Sequence, residues 1–272
     1  MHRPHLVIVS LLFLLSGCAL SGGGALDDLT GAAREQEQTL RIADIAARTG
    51  NYPAAIEIYQ TLLAKRGSDA AILKRLGNVY LEARHGDEAI LVFERLAGLE
   101  EADPAAALGL GRANLQLFRP AIAAEYFERA LALTPQDATT MGLLALAEDL
   151  AGNSDRARAL YEEALTLKPD DAALKNNFAV SRLLRGEYAA AAEALRSLAF
   201  ADGATVQMRQ NLALAYGLQG DEEAAARIAH IDLDAQSVAD NLRLYAALRR
   251  MGTPELLRRY LLALPVEGTA GS

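Results

Sequence analysis

The chain has 272 residues, a formal charge of −8 at neutral pH and a pI near 5.1. That acidic balance argues against recognition of a nucleic-acid backbone and leaves no basic stripe for an anionic membrane surface. Cys18 is the single cysteine, so the chain can form no internal disulfide and has no paired-cysteine metal spacing. Residues 1–5 form a short positive lead and residues 6–15 an apolar run broken only by Ser10. Such a run is too short to cross a bilayer, and it predicts a secretory signal peptide over residues 1–17.

The junction Leu15-Ser16-Gly17-Cys18 resembles a bacterial lipobox. The resemblance implies that the Cys18 thiol takes a diacylglyceryl group and becomes the new N-terminus. In the bacterial sorting pattern, aspartate after the cysteine retains a lipoprotein in the inner membrane. Ala19 stands there instead, which implies an outer-membrane anchor facing the periplasm. Residues 18–35 are expected to be the lipidated N-terminus and a flexible tether, because residues 19–31 are rich in Gly and Ser and poor in bulky side chains.

From Gln36 a period of 34 residues runs through the chain, giving units 36–69, 70–103, 104–137, 138–171, 172–205 and 206–235. Place eight of each unit is small: Ala43, Gly77, Gly111, Ala145, Ala179 and Ala213. So is place twenty: Ala55, Ala89, Ala123, Ala157, Ala191 and Ala225. Place seven is large and apolar, from Ile42 to Leu212, and place twenty-four is aromatic in the first four units. Within a unit the apolar residues recur at helical spacing, which predicts a pair of amphipathic helices. A turn divides the pair, marked by Gly50, Gly152, Gly186 and Gly220. In unit two the glycine is expected to slide to Gly86, and in unit three Pro120 opens the second helix. One such pair cannot bury its own apolar face, so neighbours must stack. Residues 236–264 keep a helical pattern but leave the period; they are expected to cap the last repeat, and residues 265–272 to be a disordered tail.

Leu76-Gly77-Asn78-Val79-Tyr80, Gly186-Glu187-Tyr188-Ala189-Ala190-Ala191 and Tyr161-Glu162-Glu163-Ala164-Leu165 with Pro169 resemble the tetratricopeptide repeat. No tryptophan occupies place four, and units one, two, five and six lack the closing proline. The resemblance implies an all-α, right-handed superhelical solenoid of about six repeats with C-terminal capping helices. In that fold the first helix of each pair lines the concave face. The residues expected there divide the groove. Lys74, Arg75, Asn78 and Arg112 make a basic patch, while Leu146, Val180, Leu183, Leu184 and Leu214 lie with the amides Asn176, Asn177, Gln210 and Asn211. A side-chain amide both donates and accepts, so amides repeated one unit apart can hold an extended peptide by its backbone. Lys74 and Asn78 also match two places of the carboxylate clamp of this family. Gly109, Thr139 and Leu143 replace the rest of it, which argues against a chaperone clamp.

No phosphate loop or nucleophile motif is present. His2 and His5 fall in the leader, and His85 and His230 lie far apart, so the sequence predicts no metal site, no cofactor beyond the lipid on Cys18, and no enzyme.

Leu174-Lys175-Asn176-Asn177-Phe178-Ala179-Val180-Ser181-Arg182-Leu183-Leu184-Arg185-Gly186 carries a narrower resemblance. Val206-Gln207-Met208-Arg209-Gln210-Asn211-Leu212-Ala213-Leu214-Ala215-Tyr216-Gly217, Ala229-His230-Ile231-Asp232-Leu233-Asp234 and Asp240-Asn241-Leu242 extend it. With the lipobox, these look like the tetratricopeptide lipoproteins of the tight-adherence (Flp) pilus apparatus. The resemblance implies a pilotin or assembly factor whose groove holds a segment of a protein client, the secretin or another secretion component. It implies no nucleic acid and no small-molecule substrate. The alternative on the same architecture is an envelope lipoprotein that scaffolds or regulates peptidoglycan-remodelling enzymes.

Overall fold

A computed structural model describes residues 23–100, 102–252 and 257. Among the described residues there are thirteen helices and no strand. They run α1 (Gly23–Arg48), α2 (Tyr52–Arg66), α3 (Ala70–Glu82), α4 (Gly86–Leu99), α5 (Pro104–Gln116), α6 (Pro120–Leu133), α7 (Ala138–Ala151), α8 (Ser154–Leu167), α9 (Ala172–Leu184), α10 (Tyr188–Ala199), α11 (Val206–Gln219), α12 (Glu222–Ala229) and α13 (Ala235–Met251). Each helix packs on the next in sequence. The first helices of successive pairs also touch one another, whereas successive second helices make no comparable contact. The first helices therefore line the tighter, inner side of the array.

The helix starts have a local cause. The last place of each unit is Asp69, Asp103, Asp137, Asp171 and then Thr205, and each side chain accepts a hydrogen bond from a backbone N–H in the first turn of the helix that follows. An oxygen there satisfies a donor that has no partner inside the helix. This row of caps is legible in the 34-residue register, but the apolar pattern alone does not point to it.

The turn inside each pair also repeats. Place fifteen has positive φ in all six units: Gly50, Arg84, Phe118, Gly152, Gly186 and Gly220. Arg84 at 63° and Phe118 at 58° adopt it with a side chain attached, at a cost of about 1–2 kcal/mol each. The expectation that the turn glycine of unit two slides to Gly86 is therefore corrected. Arg84 makes the turn, and Gly86 is the first residue of α4. A Cβ on Gly86 would lie 2.9 Å from Cγ of Leu117, so close packing of neighbouring turns demands the glycine.

The small residues at places eight and twenty are all buried. Place twenty-four fills the gap beside them: Tyr59, Phe93, Phe127, Tyr161, Leu195 and Ala229 are each at most 1% exposed. Burying a side chain of phenylalanine size stabilises the fold by roughly 1.5–3 kcal/mol. Place seven is buried or half-buried except at Ile42, which is 58% exposed because α1 has no earlier pair packed against it among the described residues. At the other end α13 lies on α11 and α12. Its Tyr245 is buried, and Arg249 donates to the Gly217 carbonyl at 3.0 Å.

The tether expected over residues 18–35 is corrected in part, because α1 begins at Gly23 and runs unbroken into the first repeat. Ala25, Leu26, Leu29, Ala32, Ala33, Arg34 and Glu35 favour a helix and outweigh the weaker Asp27, Asp28, Thr30 and Gly31 among them. The leader, Cys18 and the tail over 265–272 lie outside the described residues.

Candidate protein-binding site

The inner face is built from α1, α3, α5, α7, α9 and α11, and its chemistry changes along the array. In the first three units it is a ladder of ion pairs between successive helices. Arg75 of α3 reaches back to Asp44 of α1 at 3.2 Å. Arg112 of α5 donates to Oδ1 of Asn78 at 3.4 Å and to Oε1 of Glu82 at 3.3 Å. Burial pushes the Glu82 carboxyl above the usual range, against the pull of Arg112, and it lowers the Arg112 guanidinium. Lys74 sits 2.5 Å from Oδ2 of Asp103 and 3.6 Å from Glu100. Its hydrogen bond to Asp103 raises its own pKa, whereas Asp103 is held low by Lys74 and the Ala105 N–H in spite of burial.

The basic patch expected from the sequence is thus already neutralised from within. Lys74, Arg75 and Arg112 each hold an acid of the same chain. Asp44 and Glu82 share the inner face with these cations, at places nine and thirteen of their units, whereas Asp103 closes its unit; periodicity places them there but does not bring each beside its cation. Asn78 is exposed, and Lys74 and Arg75 are partly exposed, so this stretch remains reachable from solvent.

The fourth unit is mostly apolar, although Glu148 and Asp149 are buried near the end of α7. Leu143 and Leu150 are buried and Leu146 is half-buried. In units five and six the amides meet one another. Nδ2 of Asn211 donates to Oδ1 of Asn176 at 3.0 Å, and Nδ2 of Asn176 lies 3.3 Å from Oδ1 of Asn177. Gln207 donates to Asn211 at 2.9 Å. Asn176 and Asn211 are 1% and 3% exposed.

This corrects the expected client groove. Asn176, Asn211, Val180 and Leu214, with Leu183 and Leu184, are buried in the fold and not offered to a peptide. The reason is close approach: α9 and α11 touch directly, and α13 packs on α11. Only Asn177, Gln210 and Leu146 of the expected set keep partial exposure there, and Gln210 lies beside Asp232. Asp232 itself forms a two-point pair with Arg209, at 2.8 and 2.6 Å.

Gly109, which departs from the clamp pattern, is required by packing. A Cβ on it would lie 2.4 Å from the Phe93 ring, and one on Gly77 2.6 Å from the same ring. Phe93 is held between glycines of two successive repeats, so no asparagine fits at position 109. Among the described residues no group of three or more potential metal ligands occurs, and no helix is long and apolar enough to cross a membrane.

Comparison with known proteins agrees with this geometry. The family model described as "Tetratricopeptide repeat" matches residues 40–107, 74–138 and 108–172. No curated protein matches the chain at a significant level. Among solved structures, a tetratricopeptide repeat protein from Parabacteroides merdae is 18% identical, with a TM-score of 0.66 over 81% of this chain and 90% of its own. The MamA RS-1 ArsTM double mutant is 19% identical, with a TM-score of 0.50 over 58% of this chain and 89% of its own. At such identities the likeness concerns the fold. Residues 40–172 match the tetratricopeptide repeat, and helix pairs continue in the same register beyond them, so the chain is an all-α repeat solenoid.

Proposed function

We propose that this chain is an envelope lipoprotein, anchored through Cys18 to the outer membrane, that acts in tight-adherence (Flp) pilus assembly as a pilotin or assembly factor of the TadD kind. Repeats of this family are protein-interaction scaffolds, and a solenoid presents long open surfaces in place of an enclosed pocket. The observation that carries the reading is the lipobox-like Leu15-Ser16-Gly17-Cys18 placed shortly before a repeat array whose last units resemble those pilus lipoproteins. Lipid on Cys18 would restrict the solenoid to the membrane surface and raise the effective concentration of a client held there.

The burial pattern moves the expected contact surface toward the first three units. Lys74, Arg75 and Asn78 remain reachable, and Leu146 and Asn177 lie further along the inner face. A client segment with both charges can exchange partners with the Lys74–Asp103 and Arg75–Asp44 pairs.

The test is in-cell photo-crosslinking from Asn78 and Asn177, with Glu162 on the exposed side of α8 as control, beside a Cys18→Ser variant at native expression level. Capture of a secretin or another pilus component from the inner face alone, with loss of assembly in Cys18→Ser, supports the reading. Capture of a peptidoglycan synthase or hydrolase, or unaltered assembly by Cys18→Ser, overturns it.

A further inference from the structure

The turns at place fifteen form one edge of the array, and two of them are unusual. Four of the six use glycine for the positive φ, but Arg84 and Phe118 use full side chains. Phe118 is also 55% exposed, so it strains the backbone without filling the core. The two turns lie side by side: Leu117 packs over Gly86, and Nε2 of Gln116 donates to the Leu81 carbonyl at 2.7 Å.

Charge accumulates at the same place. Arg48, Arg84 and Arg119 are exposed, and none of them forms an ion pair among the described residues. His85 lies 4.0 Å from Glu88, and Asp87 and Glu88 open α4 behind the turn. The inner-face cations Lys74, Arg75 and Arg112 are matched by acids, whereas these edge arginines are not. Places fifteen and sixteen read Gly50-Asn51 in the first turn, Gly152-Asn153, Gly186-Glu187 and Gly220-Asp221 in the later ones, so an arginine stands at these two places only in the second and third turns, at Arg84 and Arg119.

We infer that the edge formed by Arg48, Arg84, Phe118 and Arg119 docks an acidic polypeptide segment that seats one apolar side chain on Phe118. Backbone strain held at an exposed position points to a role outside the core. Guanidinium groups pair with carboxylates through two parallel hydrogen bonds, and an exposed aromatic ring on the same edge gives an apolar anchor. The inference rests on the chain being a protein-binding scaffold, but it concerns a different surface from the inner face.

The test is fluorescence anisotropy of the full chain in mild detergent with a labelled peptide of repeating Asp-Asp-Leu. One control peptide carries Asn for Asp and another Ser for Leu. Phe118→Gly is expected to weaken binding about tenfold and, in the same protein, to raise the thermal midpoint. Phe118→Leu keeps binding, and Arg84→Gly with Arg119→Gln weakens it and flattens its dependence on salt. A structural role alone would lower the thermal midpoint and not raise it. Unchanged affinity of Phe118→Gly, equal binding of either control peptide, or preference for phosphatidylglycerol vesicles over the peptide would overturn the inference. Edge binding without any inner-face crosslink from Asn78 or Asn177 would sink the pilus-client reading and leave this one standing.

Discussion

Asn211 donates its side-chain amide to Asn176, one repeat earlier, inside a region where both residues are almost fully buried. Amides at this spacing look in sequence like a ladder for a peptide backbone. In the fold they satisfy each other, because α9 and α11 approach closely enough for side chains on facing helices to meet. A buried polar group without a partner is costly, so the pair fixes the register between the fifth and sixth repeats.

Removing one member should therefore cost more than removing both in sequence would suggest. Asn211→Ala is expected to destabilise the chain by about 1–3 kcal/mol, since it strands the Asn176 oxygen. In urea unfolding, the cycle with Asn176→Ala should show a coupling of about 0.5–3 kcal/mol. Additive costs would mean that the two amides act independently.

Gly109→Ala probes the packing of Phe93. Alanine improves helix propensity by about 1 kcal/mol, but the new Cβ meets three ring atoms at 2.4–2.5 Å. The net expectation is a loss of about 1–3 kcal/mol from overpacking. Adding Phe93→Leu should recover part of that loss by relieving the clash. Circular-dichroism melts of the three proteins check it, and an additive double variant would refute the contact as the cause.

Arg84→Gly should act in the opposite direction. The exposed arginine occupies a left-handed conformation, and glycine removes that strain while raising the entropy of the unfolded chain. The balance predicts a gain of about 0.5–1 kcal/mol. A loss of stability on chemical denaturation would show that the side chain contributes contacts within the fold.

Asp232 gives the fold a pH dependence. Its hydrogen bonds from Arg209 hold the carboxyl below the usual range, against an opposing effect of burial. A depressed carboxylate stabilises the fold fully above its unfolded pKa of about 4, and the contribution is lost as pH falls through the lower folded value. Asp232→Asn should then cost about 1 kcal/mol near neutrality, with the gap to the parent narrowing below about pH 4. An equal gap at both pH values would show that the ion pair is not what Asp232 contributes.

By itself the sequence determined the repeat. A period of 34 with small residues at two fixed places leaves stacked helix pairs as the arrangement that buries every apolar stripe, and the Asp69, Asp103, Asp137 and Asp171 caps sit in the same register. It also carried the lipobox-like Cys18 and the end of the period near residue 235. Only the tertiary structure decided which inner-face residues are open. Lys74, Arg75 and Arg112 meet acids drawn from other parts of their own array, and Asn176, Asn211, Val180 and Leu214 vanish between helices. Helical periodicity gives the direction of a side chain about its own axis. How near the next helix comes depends on packing at residues a repeat away, such as Gly109 against Phe93, and that distance separates a binding groove from a core.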